Sequence, residues 1–124
     1  MNTGYLGKVY QDGEAIFRQG EKGDCMYVVL DGQVEVISEA ENREIRLAVT
    51  EKGDFFGETA ILGPDVRGQT ARAMGQTRVL TVDKHNFWGG IKKDPSLAFR
   101  VLETLSNRIQ SMNDELCQLK RAYS

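Results

Sequence analysis

Apolar positions in the first two thirds of the chain come in short runs cut by turn residues. Asp12-Gly13, Gly20, Lys22-Gly23-Asp24, Asp31-Gly32 and Lys52-Gly53-Asp54 separate the runs at residues 15–17, 26–30, 34–37 and 45–49. Short runs rich in β-branched and aromatic residues, spaced by turns in this way, predict an all-β barrel or sandwich. Val34 and Val36 alternate with Gln33 and Glu35, and Ile45, Leu47 and Val49 alternate with Arg46 and Ala48. That period of two predicts strands with one buried face. Asp31-Gly32 predicts a hairpin, because glycine tolerates the positive φ of such turns. Residues 69–73 and 77–82 read as two further strands. Glu21-Lys22-Gly23-Asp24 recurs as Glu51-Lys52-Gly53-Asp54, which reads as one turn solution used twice rather than a duplicated unit.

The period changes after residue 82. Asp83 is placed to cap a short helix with Phe87 and Trp88 on its apolar side. Gly89-Gly90 predicts a break there, since a glycine inside a helix costs about 1 kcal/mol. Asp94-Pro95 predicts a new start, an N-cap followed by proline at the first helical position. Beyond it Leu102, Leu105, Ile109, Met112, Leu116 and Leu119 recur in alternating steps of three and four, the pattern of a coiled-coil seam. A helix from Pro95 to Arg121 would be roughly 40 Å long at 1.5 Å per residue, more than packing on a small barrel requires. Leu97 and Val101 are expected to dock on the barrel. The remaining seam is expected to pair with the same helix of a second subunit, giving a homodimer. These elements fit one domain over residues 1–124, with a barrel at about 8–82 and a helical part at about 83–122.

The chemistry concentrates in GDFFGETAILGPDVRGQTARA, residues 53–73. Gly57 has no side chain, so a ligand can approach its backbone closely. The apolar turn Thr59-Ala60-Ile61-Leu62, if helical, turns free N–H groups outward, which suits an anion. Gly63-Pro64 folds the chain back and brings Arg67 towards Glu58. The Arg67 guanidinium can grip two phosphate oxygens as a fork, and Glu58 can accept from a sugar hydroxyl. An anion and a hydroxyl on one ligand suggest a nucleotide.

The motif F-G-E-x-A-x-L, a Gly/Pro turn, then R-x-x-T-x-x-A resembles the phosphate-binding cassette of the cyclic nucleotide-binding domain family. That family includes catabolite activator-type regulators, regulatory subunits of cyclic AMP-dependent kinase, and cyclic nucleotide-gated channels. The stretch DGEAIFRQGEKGDCMYVVLDGQVEV, residues 12–36, resembles the family's N-terminal barrel strands. The resemblance implies a mainly β jelly-roll barrel with flanking helices, a short helix in the cassette and a long C-terminal helix. It also implies Arg67 on a cyclic phosphate, Glu58 on the ribose 2′-hydroxyl, and contacts from Gly57, Thr59, Ala60, Gly68 and Gln69. The resemblance rests the purine on the final helix, where Asn113 can either pair with an adenine edge, its amide being both donor and acceptor, or stand as a surface residue beside the seam. The family often carries Ala, Ser or Thr after the arginine, and a hydroxyl there favours guanine. Gly68 offers none, so the expected ligand is cyclic AMP, with cyclic GMP as the alternative. Gln69 is larger than the residue usual at its position and can either crowd the phosphate or add a hydrogen bond, which leaves a related dinucleotide, or loss of ligand binding, as further alternatives.

Composition agrees with a binding module. The chain has 124 residues, enough for one domain with a real core. A net charge of −2 does not point to a nucleic-acid surface, and no apolar run reaches the length of a membrane span. Residues 1–10 show no apolar signal-peptide core, so a cytoplasmic location is expected. Cys25 and Cys117 read as free thiols. His85 is the sole histidine, too few ligands for a metal site of the cupin kind, and no Ser or Cys is paired with a base. No cofactor, metal or enzyme activity is expected. The predicted role is a sensor that passes ligand binding to its final helix and a separate effector. Two alternatives are the sensory part of a catabolite activator-type regulator without its DNA-binding domain, and a dimerising scaffold that no longer binds ligand.

Overall fold

The computed structural model describes residues 6–123. The reading of the N-terminus therefore falls partly on residues 1–5, outside the described residues, as Ser124 is also. The chain is a mainly β jelly roll with helices. Its strands are β1 Lys8–Tyr10, β2 Ala15–Phe17, β3 Cys25–Ala40, β4 Arg43–Glu51, β5 Phe55–Phe56 and β6 Thr70–Asp83. They pair antiparallel in the order β1-β6-β3-β4, with β2 also on β6 and β5 also on β3. The helices are α1 Thr59–Leu62, α2 Lys84–Lys93 and α3 Ser96–Ala122. Two compact units divide the chain after Asn86.

The framework is the pairing of β3 with β6, which runs from Cys25 opposite Asp83 to Ile37 opposite Thr70. The expected hairpin at Asp31-Gly32 is not there. Both residues lie inside β3, where the register against β6 shifts on either side of Asp31. Gly32 has φ +85°, and a Cβ on it would sit 2.6 Å from Gln76 O and Thr77 Oγ1. The glycine therefore marks a bulge at a close crossing rather than a chain reversal. Thr77 Oγ1 donates to Gln33 O at 2.9 Å and ties the two strands across it. For the same reason residues 69–73 and 77–82 are not two strands. They form one, β6, bent at Gly75 with φ +70°. The reversal after β3 is instead Glu41-Asn42, with φ 52° and 62°, between the paired Ala40 and Arg43. Positive φ at both central residues is the signature of a type I′ hairpin.

The two Glu-Lys-Gly-Asp copies are not one turn used twice. Gly53 has φ +88° and donates to Val29 O at 2.8 Å in a tight return. Gly23 lies outside the left-handed region and donates to Asp65 O at 2.7 Å, alongside a bridge from Lys22 to Val66. The core is Tyr10, Val29, Val34, Phe56, Ala71, Ala73 and Val79, flanked by Ile16, Phe17 and Tyr27. The alternation in β4 does not mark a buried face. Ile45 and Leu47 are exposed, and only Thr50 near the strand's end is buried. On the barrel surface Glu35 bonds Arg46 at 3.1 Å and Arg72 at 3.0 Å, and Arg72 also reaches Glu44 at 3.2 Å.

In the helical unit Gly89-Gly90 does not break α2, which runs through both residues to Lys93. Its start is capped by Asp83, whose Oδ1 accepts from Asn86 N at 2.7 Å. The Phe87 and Trp88 rings meet edge-on at 5.2 Å. Asp94 Oδ1 accepts from Ser96 N at 3.2 Å and from Ser96 Oγ at 2.6 Å, and Pro95 already has helical dihedrals. These bonds hold the Asp94 carboxyl below its ordinary value, the serine hydroxyl contributing most. Along α3, Leu102, Ile109, Met112, Leu116 and Leu119 are all exposed. No helix among the described residues is long and apolar enough to cross a membrane.

Candidate anion site around Arg67

The segment after β5 is built to turn one arginine inward. Gly57 follows Phe56 with φ +77°, a conformation other residues rarely adopt. Glu58, half-buried, then enters helical dihedrals, and its carbonyl accepts from Ile61 N and Leu62 N, both at 3.0 Å. Ala60 and Ile61 bury and anchor α1, while Thr59 and Leu62 face solvent. The chain next runs beside residues 20–23. Arg67 N donates to Glu21 O at 2.7 Å, and Gly20 N donates to Arg67 O at 2.8 Å. The backbone of Arg67 is thus fixed on both sides by a short ladder.

Its side chain is only 3% exposed. The guanidinium carbon lies 4.0 Å from the Phe17 ring centre and 5.7 Å from that of Tyr27. Phe17, Tyr27 and Phe56 form one aromatic cluster with ring centres 5.2–6.0 Å apart. Nη1 donates to Gly57 O at 3.0 Å, and Nη2 donates to Cys25 O at 2.8 Å, with Cys25 Sγ 3.6 Å away. Nε is buried with no hydrogen-bond partner among the described residues. No carboxylate among them pairs with this guanidinium. A buried cation without a counter-ion is costly, and here neutral carbonyls and aromatic faces alone hold it. Burial, reinforced by a hydrogen bond with Cys25, pushes the Tyr27 phenol well above its ordinary value, so the ring brings no negative charge to the site. The arrangement suits an incoming anion.

Sequence reasoning singled out Gly57 and Arg67, and the structure brings these two into direct contact. Gly68 is exposed, with open space where a Cβ would stand, and Gln69 is half-buried. Asn113 is an exposed residue of α3. Four residues of the site were not anticipated. Cys25 and Tyr27 share a face of β3 and line the guanidinium, Phe17 stacks on it, and Gly23 makes room for it. A Cβ on Gly23 would lie 2.5 Å from Arg67 Cζ and 2.7 Å from Nη2, with Nε nearer still. The alternation of Cys25, Tyr27 and Val29 was a usable signal for the first two; nothing local marked Gly23 as more than a turn. No group of three or more metal-ligating side chains occurs among the described residues.

The family profile for the cyclic nucleotide-binding domain matches residues 7–94, well over half of the chain. A cGMP-dependent protein kinase of Caenorhabditis elegans is 48% identical over 85 residues, covering 63% of this chain and 10% of the kinase. A CRP-like cAMP-activated global transcriptional regulator of Mycobacterium tuberculosis is 29% identical over 108 residues, covering 86% of this chain and 48% of the regulator. The chain thus spans from a tenth to about half of the length of these relatives. Among solved structures, the catabolite activator protein of Thermus thermophilus superposes with a TM-score of 0.80 at 28% identity, over 91% of this chain and 54% of that one.

Proposed function

The chain belongs to the cyclic nucleotide-binding domain family, and from that premise we propose that it is a cyclic AMP sensor whose Arg67 receives the cyclic phosphate. The observation that carries this reading is the buried, counter-ion-free guanidinium with an unused Nε donor. A buried unmet donor costs about 1–3 kcal/mol, and a phosphate oxygen would relieve it. In this reading the phosphate takes over donors that now serve Gly57 O and Cys25 O. Glu58 accepts from the ribose 2′-hydroxyl, and the Gly57, Thr59, Ala60, Gly68 and Gln69 backbone completes the cradle. The two named relatives disagree on the base, one being named for cGMP and the other for cAMP. The choice of cyclic AMP rests on Gly68, which offers no hydroxyl to guanine.

Binding passes to α3 as a population shift, driven by the ligand's different affinity for two arrangements of the cassette. The seam Leu102, Leu105, Ile109, Met112, Leu116 and Leu119, exposed at every position but the half-buried Leu105, pairs with a second copy and couples the site to an effector. The chain does no chemistry on its ligand, touches neither nucleic acid nor membrane itself, and works in the cytoplasm. Calorimetric titration with cyclic AMP, cyclic GMP and linear AMP tests this. The expected order is cyclic AMP tightest and linear AMP much the weakest. Binding of linear AMP as tight as the cyclic form would overturn the phosphate reading, and preference for cyclic GMP would overturn the role given to Gly68.

A further inference from the structure

We propose that Cys25 is a modification site inside the anion pocket, where exchange with a low-molecular-weight disulfide sets a bulky adduct against Arg67 and closes the pocket to a cyclic nucleotide. The proposal rests on Arg67 as the phosphate receptor. Cys25 is a free, half-buried thiol at the first position of β3. It shares the inward face with Tyr27, by the period of a strand. Its sulfur lies 3.6 Å from Arg67 Nη2, and its own carbonyl accepts from that same nitrogen at 2.8 Å. The backbone of Cys25 is thus tied to the guanidinium and its thiol lies beside it. A second observation marks the place as a ligand site: Arg67 is 3% exposed and keeps one donor, Nε, without a partner. The fixed positive charge also favours reagents that carry carboxylates.

In the exchange Cys25 Sγ attacks one sulfur of glutathione disulfide. A new S–S bond forms, the reagent's S–S bond breaks, and its electron pair leaves with the other sulfur. That sulfur takes up the proton given by the Cys25 thiol and departs as reduced glutathione, so Cys25 is oxidised as the second glutathione is reduced. The adduct is a peptide tethered one bond from the sulfur, in the space the phosphate must enter. Reduction reverses it, which makes the device a redox gate on ligand binding.

The test uses the whole chain with the exposed Cys117 replaced, Cys117→Ser, so that one thiol remains. Affinity for cyclic AMP is measured before treatment with glutathione disulfide, after it, and after dithiothreitol, with the adduct mapped by mass spectrometry and folding followed by circular dichroism. The expected result is an adduct on Cys25, affinity at least tenfold lower in a protein that remains folded, and recovery on reduction. Saturating cyclic AMP should slow adduct formation. A companion Cys25→Ser, Cys117→Ser protein should show no change with treatment, whatever its own starting affinity. No adduct in the folded protein, an adduct without loss of affinity, or loss only through unfolding would each overturn the proposal. Failure of the untreated protein to bind any cyclic nucleotide would bring down the pocket reading itself, and this proposal with it, before any reagent is added.

Discussion

Replacing Gly23 with alanine tests how the arginine is held. The added Cβ would lie 2.5 Å from Arg67 Cζ and 2.7 Å from Nη2, against the 3.5–4.0 Å of an ordinary contact. The guanidinium must therefore retreat by about 1 Å or leave its place. Retreat strains the bonds that anchor both Nη groups. Departure breaks the bonds to Gly57 O and Cys25 O, each charge-assisted and worth about 1.5–3 kcal/mol. Some of that returns when the guanidinium reaches water, leaving a net cost of about 3 kcal/mol. Alanine's own backbone costs nothing here, since Gly23 is not left-handed, and stiffening the unfolded chain could return about 0.4–1 kcal/mol. Urea unfolding followed by far-UV circular dichroism on the wild type, Gly23→Ala, Arg67→Ala and the double variant isolates the clash. Gly23→Ala should cost about 3 kcal/mol alone and close to nothing in the Arg67→Ala background, a coupling of ~2 kcal/mol or more. An equal cost in both backgrounds would mean that the alanine does not collide with Arg67.

Three further outcomes follow from the same geometry. Gly32→Ala and Gly13→Ala both place alanine at φ near +85°, but only Gly32 meets Gln76 O and Thr77 Oγ1. Gly13→Ala should cost about 1–2 kcal/mol and Gly32→Ala at least ~1–3 kcal/mol more, read from urea midpoints. At Glu35, burial alone would raise the carboxyl, but hydrogen bonds from Arg72 and Arg46 outweigh it and hold the carboxyl below its ordinary value. A depressed carboxyl contributes stability above its unfolded value and loses it as pH falls through the folded one. The wild type should therefore lose stability more steeply than Glu35→Gln as pH falls through the carboxylate range; parallel pH profiles would contradict this. Replacing Ile109 and Met112 together with glutamate should convert a dimer to a monomer in sedimentation velocity, and an unchanged association state would remove the seam as the interface.

The barrel was legible because its strands obey local rules. The apolar runs at residues 15–17 and 26–30, and the turns at Gly53 and Asp83, speak through φ preference and capping. The errors come where tertiary packing decides. Gly32 reads as a turn from its neighbours alone, yet the strand crossing at Gln76 and Thr77, distant in sequence, is what requires a glycine there. Gly89-Gly90 reads as a break, but a helix tolerates about 1 kcal/mol per glycine when its flanks favour it. Ile45 and Leu47 alternate correctly for a buried face, on a strand that nothing among the described residues covers there. In the site, the cassette around Gly57 and Arg67 is contiguous and so visible. Gly23 joins it only because the 20–23 ladder pairs with residues 65–67, a long-range contact that no local pattern announces.

The proposed role of Arg67 as receptor of a cyclic phosphate can be met head-on. The measurement that meets it most directly is the calorimetric affinity for cyclic AMP of the wild type beside Arg67→Ala, with both shown to be folded by circular dichroism. Affinity should fall at least a hundredfold when the guanidinium is removed, about 2.7 kcal/mol. Equal affinity in two folded proteins would contradict it.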